Sequence, residues 1–562
     1  MTTPITQRTA VTDSTTSQPA RLDVIRSLLE VGLIFVIFAL FAAQLPPDVN
    51  ESHYLTKAKH GWDSEWCPGD LFLSSSFSHW LFYAVTGWLN SFLSLSQVAW
   101  TGRMVTWLFL AFAWQRLSWS ILPKRGMAIV SATLFLLLND RFHLAGEWVV
   151  GGYEAKGLAY GFVLLGLSRI AQAKPVSGAT CFGAATAFHV LVGGWAWVAW
   201  ISGNALLWAF RREPAKRLTQ KTTWKLWHWL PAVVMSLIGV LPPLLSDMSA
   251  DADSASAASL IYVNQRIAHH LNFSAFPSMH VARFLAMTIG LLLIARQLNR
   301  LNETGGSRWT QLFWFAAGSL SISMVGLLLS GLAEQPDAFS TWSAGMLRFY
   351  WFRLADFAVP CSLAVACSIV LYRLLAATDL QNRSLQRIRG GVFVLALAAA
   401  AVSMIVDRHM DPRPRADRAA LPEFGNNWER TLGTFENWKS VCRWINENTE
   451  EDAVFITPDS QQTFKWYAGR TEVVSWKDVP QDATSMIQWR QRVSELCEPQ
   501  RRYEPGLMSY SDQQLREFGK RYKAKYLLVP QADVDMMNEP TTLRQVYPAT
   551  KESRSSYVLF EL

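Results

Sequence analysis

Long apolar runs separated by short basic stretches constrain what this chain of 562 residues can fold into. A helix of about 20 apolar residues crosses the hydrocarbon core of a bilayer and satisfies its own backbone hydrogen bonds there. Charged residues make up only 17% of the chain, whereas a soluble protein carries about 25%. The sequence therefore predicts an all-α polytopic membrane bundle rather than a series of soluble domains.

The predicted bundle contains about eleven transmembrane helices. A polar stretch, residues 1–20, precedes the first helix; we expect it to be disordered, and no cleavage site follows that helix. Gly193 and Gly194 are expected to divide one long apolar stretch into two helices. The predicted spans are residues 24–45, 99–122, 126–140, 157–173, 177–192, 193–210, 229–245, 283–298, 310–332, 356–375 and 391–406.

The stretch 77–98 is the ambiguous part of the topology, because it is apolar but rich in serine. If it lies along the membrane surface, all the basic short loops fall on one side, which the positive-inside rule makes cytoplasmic. These loops hold Lys124 and Arg125; the basic run 211–225; Arg296, Arg300 and Arg308; and Arg383, Arg387 and Arg389. We therefore expect a multi-pass protein of a bacterial inner membrane, with a cytoplasmic N-terminus and a periplasmic C-terminus.

Residues 407–562 form a different kind of sequence, in which short strand-like runs alternate with helical patterns. This alternation predicts a small α/β domain on the extracytoplasmic side. The predicted domains are thus residues 1–20, a membrane domain at 21–406 with a large first outer loop at 46–98, and the soluble domain. Cys442 and Cys497 both fall in the soluble domain, where a disulfide between them is one of the pairings left open.

Polar residues collect in four predicted outer loops, residues 46–76, 140–156, 246–282 and 333–355. Carboxylates in such loops suit proton transfer or metal binding, and arginines match the geometry of a phosphate. The modest net charge of +8 lies in short loops, which argues against a nucleic-acid partner. Loops of this kind favour a site that handles a lipid headgroup at the membrane surface.

The first outer loop resembles that of the GT-C class of membrane glycosyltransferases, which includes protein mannosyltransferases and aminoarabinose transferases. Members commonly carry Asp-Glu with a Tyr close behind; here Glu51 and Tyr54 match, and Asn50 departs from the pattern. Asp63 and Glu65 resemble a second acidic pair that some members use for a metal. The surface helices expected at 77–98 and the outer α/β domain are similar to the class as well, most of all to bacterial members.

The resemblance implies an enzyme that passes a sugar from a polyprenyl-phosphate carrier to an acceptor outside the cytoplasm, among membrane lipids. It implies a catalytic carboxylate in the first outer loop, and the need for a divalent cation stays open. The catalytic candidates are Glu51, Asp63 and Asp70. The candidates for substrate binding are Tyr54, Glu65, Glu154, Lys156, Arg266, His269, His270, Arg348 and Arg353.

Each candidate also has an ordinary structural interpretation. A carboxylate just past a helix end is commonly only solvated, and arginines beside interfacial aromatics often anchor a helix. His189, inside a predicted span, is expected to be a hydrogen-bonded structural histidine. Two other functional classes stay open: a lipid or solute transporter or flippase, and a membrane scaffold without catalysis.

Overall fold

The computed structural model describes residues 17–210, 225–247, 251–300, 306–334, 338–376, 383–422, 427–502, 505–548 and 555–562. Two predictions fall largely outside these ranges. Of the N-terminal stretch expected to be disordered, only residues 17–20 are described, and they begin a helix. Of the basic loop 211–225, only Lys225 is described.

Each predicted span coincides with a helix. The helices are α1 (Ser17–Ala42), α4 (Leu95–Ile121), α5 (Met127–Arg141), α6 (Ala155–Ala171), α7 (Pro175–Phe188), α8 (Val190–Phe210), α9 (Leu230–Asp247), α12 (Ser278–Arg300), α13 (Gly306–Ala333), α15 (Ala355–Leu375) and α16 (Arg383–His409). Within the described ranges, seven helices are long and apolar enough to cross a membrane: α1, α8, α9, α12, α13, α15 and α16. The chain is therefore an integral membrane protein.

Short helices connect the long ones at the end of the bundle where the predicted outer loops lie. They are α2 (Glu51–His60), α3 (Trp80–Asn90), α10 (Ala252–Leu260), α11 (Ala268–Leu271) and α14 (Ala338–Leu347), with turns of π- or 3₁₀-helix at Ile261–Arg266 and Phe273–Ala275. Helix α3 is too short to span a bilayer core of about 30 Å, because each helical residue rises about 1.5 Å. The stretch 77–98 is thus not a span, in agreement with the sequence-based topology.

The helical hairpin α7–α8 corrects the expected turn at Gly193 and Gly194. The chain leaves the helical conformation at His189, whose backbone is extended (φ −147°, ψ 102°). Phe182 of α7 contacts Trp197 and Trp200 of α8, so the two helices run back along each other. A side chain at Gly193 would come within 2.1 Å of a backbone nitrogen of α7. The glycine therefore permits close helix packing instead of making the turn.

The C-terminal residues form a five-stranded sheet with helices, so the predicted α/β fold is confirmed. Its strands are β1 (Val454–Ile456), β2 (Thr471–Glu472), β3 (Tyr526–Pro530), β4 (Arg544–Tyr547) and β5 (Tyr557–Glu561), in the order β2-β1-β3-β5-β4. Strands β2, β1 and β3 are parallel, and β5 is antiparallel to both its neighbours. Its helices are α17 (Arg415–Arg418), α18 (Trp428–Asn448), α19 (Phe464–Ala468), α20 (Ala483–Arg492), α21 (Glu498–Arg502), α22 (Asp512–Tyr522) and α23 (Gln531–Asp535), with short turns at Val493–Cys497 and Gly506–Ser509.

The two faces of this sheet have separate apolar cores. One core is shared with the short outer helices of the bundle: Val263 and Leu347 pack in the same buried cluster as Trp489. Cys497 belongs to this cluster, whereas Cys442 belongs to the cluster on the other face. Both thiols are buried and unpaired, so the disulfide considered from the sequence does not form.

Candidate functional site

A cavity of about 210 Å³ lies where the short outer helices meet the C-terminal domain. Helix α2, the residues before α3, the tip of the α7–α8 hairpin, α9 and the segment after α14 all contribute to its wall. Its polar lining residues are Lys57, Arg348 and Arg353; His53, His79 and His189; Tyr54, Tyr83, Tyr262 and Tyr350; and Ser78 and Gln481. No aspartate or glutamate is among the described residues that line it, so the polar lining favours an anion.

Two arginines give the cavity its free cationic hydrogen-bond donors. Arg353 pairs with Glu147 through Nε at 2.8 Å, and its guanidinium stacks on the Tyr350 ring. Its two terminal nitrogens have no hydrogen-bond partner among the described residues. Arg348 makes one contact in this part of the chain, from Nη2 to the Gln481 carbonyl at 3.4 Å. Both guanidinium groups can therefore receive an anionic group in the cavity.

Lys57 contributes less charge than its place in the wall suggests. Its ammonium donates to the Phe72 carbonyl at 2.6 Å and to the carbonyl and hydroxyl of Ser75. Burial lowers its pKa to about 7, against the opposing effect of Asp70 and other carboxylates. Lys57 mainly holds the loop after α2 in position.

Two histidine rings stack at the hairpin side of the cavity. The ring centroids of His79 and His189 are 4.3 Å apart, and Nδ1 of His79 is buried without a hydrogen-bond partner in the described residues. Burial, with smaller effects of His53 and Arg353, lowers the pKa of His79 to about 3, so this imidazole is neutral at pH 7. A neutral imidazole with an unpaired nitrogen suits a ligand hydroxyl.

Glu51 is enclosed by protein on all sides. Its two oxygens accept from Nε and Nη2 of Arg103 at 2.7 and 2.5 Å. They also accept from the backbone N–H groups of Asp48 and Tyr153, at 2.7 and 2.6 Å. Side chains of both ion-pair partners are 0% exposed. A carboxylate so enclosed has no free lone pair for an acceptor, so this geometry does not support Glu51 as the catalytic base.

The other acidic residues of this region form a second buried layer behind the cavity. Lys156 lies 3.4 Å from Glu154 and 3.8 Å from Glu147, which is the partner of Arg353. The Asn50 amide donates to Glu154 at 3.2 Å. An aspartate at position 50 would place its carboxylate beside that of Glu154, and the two negative charges would repel each other. An asparagine avoids this repulsion and donates a hydrogen bond instead. Glu154 and Lys156 therefore support the arginine wall and do not line the cavity.

Asp63, Glu65 and Asp70 lie away from the cavity. Asp63 and Glu65 are exposed in the loop after α2, and no group of three His, Cys, Asp or Glu side chains in the described ranges is arranged to hold a metal ion. The acidic pair does not fit a metal site. Asp70 is buried and lies 3.4 Å from Lys465 of the C-terminal domain. Its position fits domain contact, which corrects the expectation of a catalytic carboxylate.

Arg266, His269 and His270 also lie outside the cavity lining. Arg266 donates from Nε to the Trp476 carbonyl at 2.8 Å and stacks on the Trp476 ring. His270 is hydrogen-bonded to the Ala145 carbonyl at 2.6 Å, with the His269 ring beside it. These contacts join outer segments to one another, so the structure gives the three residues no contact with a cavity ligand. Tyr54, Arg348 and Arg353 are the sequence candidates that line the cavity.

The sequence reasoning missed His53, which lines the cavity, and its partner Asp478 of the C-terminal domain, which does not. His53 lines the cavity, and its Nδ1 lies 2.9 Å from Oδ1 of Asp478. Asp478 also lies 2.6 Å from Lys465, which in turn contacts Glu472 at 2.6 Å. His53 stands between Glu51 and Tyr54, the two residues that carry the family resemblance, but no local pattern names a partner 425 residues away.

Residues 436–496, which include Lys465 and Asp478, match a family model described as a domain of unknown function (DUF6798). A search of curated proteins finds no match to this chain.

Several solved structures have a similar fold. The crystal structure of the Archaeoglobus fulgidus oligosaccharyltransferase in the apo form has a TM-score of 0.44 at 10% identity, over 90% of this chain and 69% of that chain. AglB from the same organism, in complex with an inhibitory peptide and a dolichol-phosphate, has 0.39 at 11%, over 91% and 70%. ArnT from Cupriavidus metallidurans bound to undecaprenyl phosphate has 0.46 at 11%, over 96% and 98%.

These solved structures are of GT-C glycosyltransferases, the class that the first outer loop resembles.

Proposed function

We propose that this protein is a membrane glycosyltransferase that takes a sugar from a polyprenyl-phosphate carrier and passes it to an extracytoplasmic acceptor. The observation that carries the proposal is the cavity wall formed by Arg348 and Arg353. Both guanidinium groups face a cavity without carboxylates and keep donors unpaired among the described residues. A phosphate with an attached sugar matches such donors, with His79 and the hydroxyls of Tyr54 and Tyr83 available to the sugar.

The apolar side of the cavity supports a lipid carrier. Val190, Leu191, Pro243 and Phe349 line this side. Pro243 belongs to α9, whose leucines at 237, 241, 244 and 245 are exposed on a helix that is apolar enough to span a membrane. An isoprenoid tail can therefore lie along α9 while the phosphate stays between the arginines.

The direction of α8 and α9 supports a cavity on the outer side of the membrane. Helix α8 begins at the cavity, α9 reaches the cavity near its end, and the basic loop 211–225 connects their far ends. Because Lys and Arg are enriched in short cytoplasmic loops, this arrangement supports a cavity on the extracytoplasmic side. The same rule supports a cytoplasmic N-terminus and an outer C-terminal domain.

The first test measures the binding of undecaprenyl phosphate to the full chain in nanodiscs by native mass spectrometry. We expect wild type to retain this lipid and Arg348→Ala to bind it about 10- to 100-fold more weakly, because a charge-assisted hydrogen bond contributes about 1.5–3 kcal/mol. The same preparation should release undecaprenyl phosphate from an undecaprenyl-phosphate-linked hexose when an acceptor is added.

Arg544→Ala is the matched control, since this arginine is exposed on β4 and pairs only with Glu561 in the described residues. It should bind as wild type does. Equal binding by all three proteins, with bulk phospholipid as the retained species, would contradict the proposal. Transport of the lipid across vesicles without release of the sugar would instead identify a flippase.

A further inference from the structure

His53 has one ring nitrogen engaged and the other available. Nδ1 is hydrogen-bonded to Asp478 at 2.9 Å, and the ring packs on Phe72 with centroids 4.1 Å apart. Nε2 has no hydrogen-bond partner among the described residues, although the side chain lines the cavity and is 16% exposed. The imidazole is thus held in one orientation with a nitrogen left for a ligand.

Asp478 is itself held in place by a buried cation. It follows β2, at the carboxyl ends of the parallel strands, where α/β sheets commonly place functional groups. Lys465 contacts it at 2.6 Å and is also close to Glu472 and Asp70. The charge of Lys465 and the hydrogen bond from His53 keep the pKa of Asp478 below its ordinary value in spite of burial. An ionised Asp478 accepts a hydrogen bond from Nδ1–H of His53, which leaves the lone pair on Nε2.

The surroundings of His53 keep the ring neutral. Burial lowers its pKa most, the hydrogen bond and charge of Asp478 raise it, and Lys477 and Lys57 lower it again. His79 and Tyr54 are the other titratable groups beside the cavity that face this ring. A neutral imidazole with Nε2 free is the form that can accept a proton.

We propose that His53 is the general base that activates an acceptor hydroxyl, and that Asp478 of the C-terminal domain is its positioning residue. This inference rests on the proposed glycosyl transfer. The acceptor O–H proton moves to Nε2 while the acceptor oxygen forms a bond to the anomeric carbon. The bond between that carbon and the carrier phosphate oxygen breaks, and its electron pair stays on the phosphate. Arg348 and Arg353 bind the phosphate, and His53 then releases its proton to water.

The test uses full-length protein in nanodiscs, with an undecaprenyl-phosphate-linked hexose as donor probe and water or added glycerol as hydroxyl acceptor. His53→Gln should lower kcat by about 100- to 10,000-fold, the usual contribution of general-base catalysis. Binding of undecaprenyl phosphate should be unchanged. Added imidazole should restore part of the rate of His53→Ala, since a small base can enter the space that the side chain leaves.

Asp478→Asn distinguishes a role in positioning His53 from a role in binding the donor. It should lower kcat with little change in KM and should move the pH profile of kcat, because the tautomer and basicity of His53 change together. His60→Gln is the matched control: this histidine is on the same helix, outside the cavity lining, hydrogen-bonded to the Trp66 carbonyl. It should react as wild type does.

Two results overturn different claims. If wild type binds undecaprenyl phosphate and releases it from the donor, but His53→Gln does so at the wild-type rate, the general-base inference is wrong and the transferase proposal stands. If wild type neither binds undecaprenyl phosphate nor releases it, the proposed function fails first.

Discussion

At the scale of single residues, the ion pair of Glu51 with Arg103 shows how a family-like motif is used in this chain. Both side chains are fully buried, and Arg103 also donates from Nη1 to the Gln44 carbonyl at 2.5 Å. The pair therefore joins the end of α1, the start of α2 and the middle of α4. A buried ion pair such as Glu51 and Arg103 stabilises the fold only while both partners are present.

Glu51→Gln should therefore destabilise the protein before it affects chemistry. Breaking a buried pair leaves an uncompensated charge and costs about 3–5 kcal/mol. We expect a clear fall in the thermal unfolding midpoint in nanodiscs. Glu65→Gln, at an exposed position of the same loop, should unfold as wild type does. A Glu51→Gln protein with wild-type stability and no transfer would return Glu51 to the catalytic role.

The sequence identified part of the candidate site for physical reasons that are local. Arg348 and Arg353 stood out because arginines beside interfacial aromatics are limited to a few roles, and Tyr54 stood out through the resemblance of the first outer loop to the GT-C class. Arg103 lies inside a predicted span, and that costly position was a usable signal. The pairing of His53 with Asp478 was not predictable, because tertiary packing alone brings the loop after β2 against α2.

At the scale of elements, apolar length predicted the helices and alternating patterns predicted the strands. Both depend on local sequence, which is why the predicted spans coincide with helices and the C-terminal region has the predicted α/β fold. The hairpin α7–α8 was placed wrongly because glycine has two uses. It permits turns, and it also permits two helices to approach closely. Only the close packing of Gly193 on Thr186 shows that this glycine serves helix approach and does not form the turn.

The glycine pair at this hairpin allows a matched test. A Cβ at Gly193 would lie 2.1 Å from the Thr186 nitrogen, whereas one at Gly194 would have no heavy atom within 4 Å. Gly193→Ala should destabilise by about 1–3 kcal/mol, the usual cost of overpacking. Gly194→Ala should be neutral or should stabilise by up to about 1 kcal/mol through helix propensity. Thermal unfolding compares the two, and equal midpoints would contradict the packing described here.

At the scale of the whole molecule, the contact between His53 and Asp478 constrains the topology. The two residues can meet only if the chain crosses the membrane an even number of times between them. Six of the seven candidate spans found in the described ranges lie between these positions. The ten spans predicted there from sequence are also even in number. The first outer loop and the C-terminal domain therefore share one side of the membrane.

The segment that connects the bundle to the C-terminal domain should make stability depend on pH. Asp417 of α17 accepts from the Thr463 and Tyr467 hydroxyls at 2.7 and 2.8 Å. Burial raises its pKa to about 6, although these hydroxyls lower it. The folded state thus favours the protonated form. The stabilisation of the folded state by protonated Asp417 is fully present below the ordinary carboxyl pKa. It is lost as the pH rises through about 6.

We expect Asp417 to contribute on the order of 3 kcal/mol to the fall in unfolding free energy between about pH 4 and pH 7. Asp417→Asn should flatten that part of the profile, and Asp452→Asn, at an exposed position, should leave it as in wild type. Thermal unfolding at a series of pH values provides the comparison. Identical profiles for wild type and Asp417→Asn would show that Asp417 does not titrate on unfolding.

The separation of His53 from Asp478 has a consequence for the timing of assembly. A ribosome translates the first outer loop and every predicted span before it reaches Asp478. The growing chain therefore already contains Arg348, Arg353 and His53 when Asp478, which orients His53, has not yet been translated. With the roles proposed here, an unfinished chain can hold the carrier lipid but cannot use it, so sugar transfer begins only after the last domain has crossed the membrane and docked.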